Sequence, residues 1–117
     1  MSLSFPLYDT LMSIIESEST TESSVDRNKL VKQIDSLDQD GRNKVYALIR
    51  YYKHKYEEES ATSNILPYEG QMIENDLVFD LDRFPSLLRV ILWEFCKLHI
   101  KHMKYNQKIE KIRKKNT

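Results

Sequence analysis

Residues 74–90 read ENDLVFDLDRFPSLLRV, and how this stretch is taken decides the fold. Leu77-Val78-Phe79-Asp80-Leu81-Asp82 alternates at the two-residue period of a strand. That period sets Val78 and Asp80 on one face and Leu77, Phe79 and Leu81 on the other. Phe84-Pro85 then opens an apolar helical pattern. Proline suits the first position of a helix, where its missing N–H has no partner to lose. Just upstream, Gln71-Met72-Ile73 is a second short β-favouring run, preceded by the turn-prone Leu66-Pro67-Tyr68-Glu69-Gly70. Asn75-Asp76 between the two runs suits a tight turn, so the segment predicts a short acidic β-hairpin.

Everything around that hairpin has helical spacing. In 5–15, Tyr8, Leu11, Met12 and Ile15 share one face. The run ESESTTESS at 16–24 is too polar to bury anything and predicts a flexible connector. Ser24 is a candidate cap for a helix over 25–37 with Leu30, Ile34 and Leu37 as its core stripe. Asp38 is the candidate cap of the next helix, with Asp40 near its positive end and Val45, Leu48, Ile49 and Tyr52 on its buried face. That helix frays around 57–60. The last helix carries Leu88, Ile91, Phe95, Leu98, His102, Tyr105, Ile109 and Ile112 in unbroken 3-4 spacing, longer than a single-domain core uses. Its second half is expected either to pack on the N-terminal helix or to meet another chain.

Composition narrows the function. With 117 residues the chain holds one core, and two glycines and three prolines favour helices. The single cysteine, Cys96, lies in an apolar run and reads as a small buried hydrophobe in a reducing, nuclear or cytoplasmic setting, not a secreted one. No apolar run reaches the roughly 18 residues of a membrane span. Residues 1–96 hold 10 Lys/Arg against 17 Asp/Glu and residues 97–117 hold 8 against 1, so a charge of −7 is followed by +7.

Catalytic signatures are missing. His54, His99 and His102 lie in lysine-rich surroundings without a third ligand at metal spacing, and read as surface or interface residues. Gly41 and Gly70 form no phosphate loop. Asp80 and Asp82 are a carboxylate pair with no enclosing pocket. The expectation is therefore a binding protein, not an enzyme, with no cofactor and no metal. Lys97, Lys101, Lys104, Lys108 and Lys111 form a basic stripe, extended by Arg113, Lys114 and Lys115. Such a stripe suits nucleic-acid phosphates or nuclear targeting, or else it is the solvated face of a coiled seam.

Specific residues in this order resemble the extra-terminal (NET) domain of the bromodomain and extra-terminal family. Ile34-Asp-Ser-Leu37 followed by Val45, Leu48 and Ile49 is similar to the family's first two helices. The run Leu77 to Arg89 is similar to its alternating acidic strand, Pro-Ser helix start and following Leu-Arg. Three departures stand out: Arg42 replaces an apolar residue, Val78 an acidic one, and one residue is missing before Pro85. The added LPYEGQMI run would make the strand half of a hairpin, as in divergent stand-alone members, those of large DNA viruses included.

The resemblance implies a mainly α fold: a three-helix NET-like unit over 25–98 with a short acidic β-hairpin between its second and third helices. An N-terminal helix (1–18), a linker (19–24) and a basic helical C-terminal extension (99–117) complete the chain. It also implies a protein–protein interaction module in transcription or chromatin regulation. Its partners would be lysine-rich, partly disordered peptide segments that add a strand to the acidic one. Asp76, Asp80 and Asp82 would face ligand lysines. Leu77, Phe79 and Leu81 would line the apolar side beside Val78, with Val45, Leu48 and Ile49 beneath. The alternative for Leu77, Phe79 and Leu81 is plain core. Alternatives for the whole chain are a nucleic-acid-associated protein using Lys101, Lys104, Lys108, Lys111, Lys114 and Lys115, and a homodimer zipped through 88–112. In a further variant, the tail folds back as a self-inhibiting mimic of the ligand.

Overall fold

A computed structural model of the chain describes residues 5–57, 68, 70–74 and 76–115, without the side chains of 57, 76, 77 and 113–115. The protein is mainly α, as the spacing predicts. Helix α1 spans Pro6–Glu18, α2 Arg27–Asp35, α3 Gln39–Glu57 and α4 Ser86–Lys115. Between α3 and α4 two three-residue strands, β1 (Gln71–Ile73) and β2 (Asp76–Val78), pair antiparallel with Met72 opposite Leu77. The turn at Asn75 lies outside the described residues; Glu74 before it takes φ 50°.

Local chemistry sets the helix ends. Asp26, not Ser24, caps α2: its carboxylate accepts from the Lys29 N–H at 3.1 Å, so the helix begins two residues later than predicted. Asp38 caps α3 as expected, accepting from the Gly41 N–H at 2.8 Å, and Asp40 pairs with Lys44 at 2.9 Å. Pro85 sits one residue before α4, and its carbonyl accepts from the Arg89 N–H. α1 stops at Ser19, which turns left-handed at φ 51° and donates its N–H to Ile15.

One core joins all four helices. Leu11, Leu30, Leu48, Leu88, Ile91, Leu92 and Cys96 are wholly buried, with Tyr8, Ile49 and Phe95 nearly so. Burial pushes the Cys96 thiol up to about 12, so it behaves as the apolar filler its neighbours predict. α1 docks on α3 and α4: the Tyr8 hydroxyl meets that of Tyr56 at 2.8 Å, and Phe5 and Tyr8 both lie against the Tyr51 ring. Lys29 of α2 reaches across to α4, its Nζ lying 5.8 Å from the Trp93 ring centroid.

Two further sequence expectations are corrected. The connector after α1 is held, not loose. It forms a 3-10 turn at Glu22–Ser24, Thr20 donates to the buried Glu94 carboxylate at 2.9 Å, and Glu22 pairs with Arg89. The Ser86 hydroxyl and the Arg89 guanidinium hold the Glu22 carboxyl below its usual range. Polar residues need not bury themselves to be ordered; here they dock on polar partners presented by α4.

His99 is the second correction. It is 5% exposed, not a surface residue, and stacks on Phe95 with ring centroids 5.3 Å apart. Its Nε2 meets the Asp38 carboxylate at 2.9 Å, tying the middle of α4 to the first turn of α3. The contact requires Gly41, where an added Cβ would lie 2.8 Å from the imidazole. His54 and His102 are exposed, as the sequence predicts.

Candidate functional site

The strand predicted to run from Leu77 through Asp82 ends at Val78. Asp80 ends it: its carboxylate accepts from the Asp82 N–H at 3.0 Å, and Leu81–Arg83 winds into a 3-10 turn. Leu81 is thereby drawn into the core beside Phe84. Asp80 and Asp82 consequently flank a turn and do not share a strand face. Both reach Arg27 at the start of α2, at 3.7 and 3.0 Å, with all three side chains more than half exposed. An exposed cluster of this kind contributes little stability and exchanges its partners easily.

Arg89 fixes the turn from below. It donates to the Leu81 carbonyl at 3.2 Å while its other arm holds Glu22, so one side chain joins the α1–α2 connector to the post-strand turn. Phe79, the residue between strand and turn, lies against Gly70, where any Cβ would collide with its ring. Phe79 also meets Tyr46 of α3 and Phe84, at centroid separations of 6.3 and 5.8 Å. Tyr68 closes on the far side of Phe84 at 5.3 Å.

Between β2 with the 3-10 turn on one side and α2 and α3 on the other lies an open groove of about 600 Å³. The α2 wall supplies Val31, Ile34 and Asp35, and the α3 wall Gln39, Arg42, Asn43, Val45, Tyr46 and Ile49. Val78, Phe79, Leu81 and Phe84 form the opposite side, with Leu92 of α4 at the base. Val31 and Val78 are 42% and 45% exposed, an apolar surface that the fold itself leaves uncovered. Ile73 shares the Val78 face of the strand pair, since Gln71 opposes Val78, and extends that surface at 49% exposure. Volume and lining fall in the range of sites that take a ligand.

The sequence-predicted residues divide as follows. Val45, Ile49, Val78, Phe79 and Leu81 come together in the groove. Leu48 is wholly buried and does not line it. The backbone of Asp76 and Leu77 is in β2, while their side chains lie outside the described residues. Lys101, Lys104, Lys108 and Lys111 are exposed on α4, far along the chain from the groove walls; the side chains of Lys114 and Lys115 lie outside the described residues. Sequence reasoning missed Val31, Tyr46, Asp35 and Arg42. A signal was present for Val31: it is apolar yet off the core stripe set by Leu30, Ile34 and Leu37.

Among the described residues no three His, Cys, Asp or Glu side chains gather to hold a metal, and no helix is long and apolar enough to cross a membrane. No protein-family model, curated protein or solved structure matches this chain.

Proposed function

We propose that the chain is a NET-like interaction module whose groove takes an extended peptide of alternating basic and apolar residues. The observation that carries this reading is the apolar groove opening directly beside β2. Among the described residues, β2 has only β1 as a hydrogen-bonded neighbour. An incoming strand would satisfy the backbone groups of that outer edge, which supply affinity without regard to sequence. Alternate side chains of the ligand would enter between Val31, Ile34, Tyr46 and Val78. The intervening basic ones would meet Asp35, Asp80 and Asp82, which favours lysine-rich segments over neutral ones. Partners of that chemistry suit the transcription or chromatin setting that the family resemblance implies.

Two arginines shape the expected ligand. Arg42 stands on the groove wall and donates to the Asp35 carbonyl at 3.0 Å, so one end of the groove is not purely acidic. Arg27 already occupies the carboxylates of Asp80 and Asp82. A ligand lysine must displace it, so binding is expected to be modest and strongly salt-dependent. The test is titration of the labelled chain with a peptide alternating Lys with Ile or Leu, followed by amide NMR. Shifts should concentrate at Val31, Ile34, Tyr46 and Val78–Asp82. A titration that leaves those amides still while the peptide binds elsewhere, or does not bind, rejects the reading.

A further inference from the structure

Past Phe95 the sequence repeat in α4 and the path of the body separate. A straight α-helix drifts about 20° per heptad from a strict 3.5-residue repeat. The body stays in contact with Cys96, His99, Ile100 and Met103. Leu98, Tyr105 and Ile112, each seven residues apart, turn outward and are 42%, 63% and 59% exposed. Ile109, half-buried, lies beside them. At 3.6 residues per turn, Lys97, Lys101, Lys104, Lys108 and Lys111 all fall along one flank of that apolar row. Lys97 is engaged by Glu18 and Glu94, whereas the other four are exposed and have no ion pair among the described residues.

We infer that this row is the docking face for an acidic amphipathic helix of a partner protein, packed along α4 with its carboxylates against the lysine flank. The apolar row and the lysines are interleaved on one side, which is the arrangement that pairs helices through a seam and selects partners by flanking charge. A second copy of this chain fits the face poorly. Glu110 is the single acidic residue in 97–117, so pairing of two such segments brings one carboxylate per chain against the lysines. A phosphate backbone would answer the lysines but leave Leu98, Tyr105 and Ile112 without a role. The face is separate from the groove and stands or falls independently of it.

The test uses the full chain and a fluorescent three-heptad peptide with leucine at both seam positions and glutamate on both flanks, beside a glutamine-flanked control. Anisotropy should show binding of the glutamate peptide accompanied by a gain of helical circular dichroism. Affinity should fall about tenfold or more with the control peptide, with Leu98→Ser/Tyr105→Ser/Ile112→Ser, and with Lys101→Glu/Lys108→Glu. All five positions are solvent-facing, and an unchanged urea midpoint verifies that each variant is folded. Four outcomes overturn the inference: no binding; equal binding of the control peptide; a dimer of the chain alone that the serine variant dissolves; or serine-insensitive attachment to a DNA duplex or phosphatidylglycerol vesicles exceeding that to the peptide.

Discussion

Gly41 illustrates how a single residue can invert a general rule. Replacing glycine by alanine inside a helix ordinarily stabilises by about 1 kcal/mol. Here the new methyl would meet a buried imidazole, stacked on Phe95 and held by Asp38, that has nowhere to move. Gly41→Ala is therefore expected to cost about 1–3 kcal/mol, and much of that should vanish when His99→Ala is added. Urea unfolding of the two single variants and the double measures both. Asp38 gives a second expectation. The hydrogen bond from His99, then that from the Gly41 N–H, holds its carboxyl below the usual range. Its folded-state value is thus lower than its unfolded one, so its contribution is complete above the ordinary aspartate range and is lost as pH falls through the depressed value. Asp38→Asn should flatten the acid limb of a plot of urea midpoint against pH. Asp38 was legible as a cap from its place before a helical run. Gly41 and His99 were not, because a close contact between residues 58 positions apart leaves no local pattern, and the lysines around His99 suggest solvent.

At the scale of elements, the strand that stops early has the clearest consequence. The alternation in 77–82 is genuine, but an aspartate that can hydrogen-bond two residues ahead competes with the ladder, and at Asp80 the turn wins. Apolar periodicity therefore revealed that Leu81 points inward without revealing that it does so from a 3-10 turn. The groove was half legible for a related reason. Its α3 wall follows from helical spacing at Val45 and Ile49, whereas its α2 wall depends on how α2 is set against the hairpin. The Arg27 cluster makes the groove's charge adjustable. Arg27→Gln should tighten binding of the alternating lysine peptide by a few-fold, the range expected for freeing exposed carboxylates. It should leave the binding of a neutral analogue unaltered, and calorimetry with both peptides separates the two.

Across the whole molecule, α1 is an integral part of the core. Leu11 is wholly buried between α1 and its neighbours, so Leu11→Ala should cost about 2–5 kcal/mol. Cys96 offers the readout. Its thiol is buried and pushed up to about 12, so a thiol reagent reacts only when the core opens, and the labelling rate should rise in Leu11→Ala in step with the lost stability. The spacing of Tyr8, Leu11 and Ile15 made the apolar face of α1 readable. Its destination was not, since the second half of the α4 stripe suited the N-terminal helix and another chain equally. The end of α1 meets α4 through Glu18 to Lys97 and Thr20 to Glu94, while Leu98, Tyr105 and Ile112 of α4 face solvent.

Trp93 is the chain's one tryptophan, half-buried on α4 with the Lys29 ammonium over its ring, and it does not line the groove. It is a built-in optical gauge of how α2 sits on α4. A peptide entering the groove should leave its emission steady, while loosening of α2 would dim or redden it. One fluorescence channel can then tell occupancy of the site from damage to its frame.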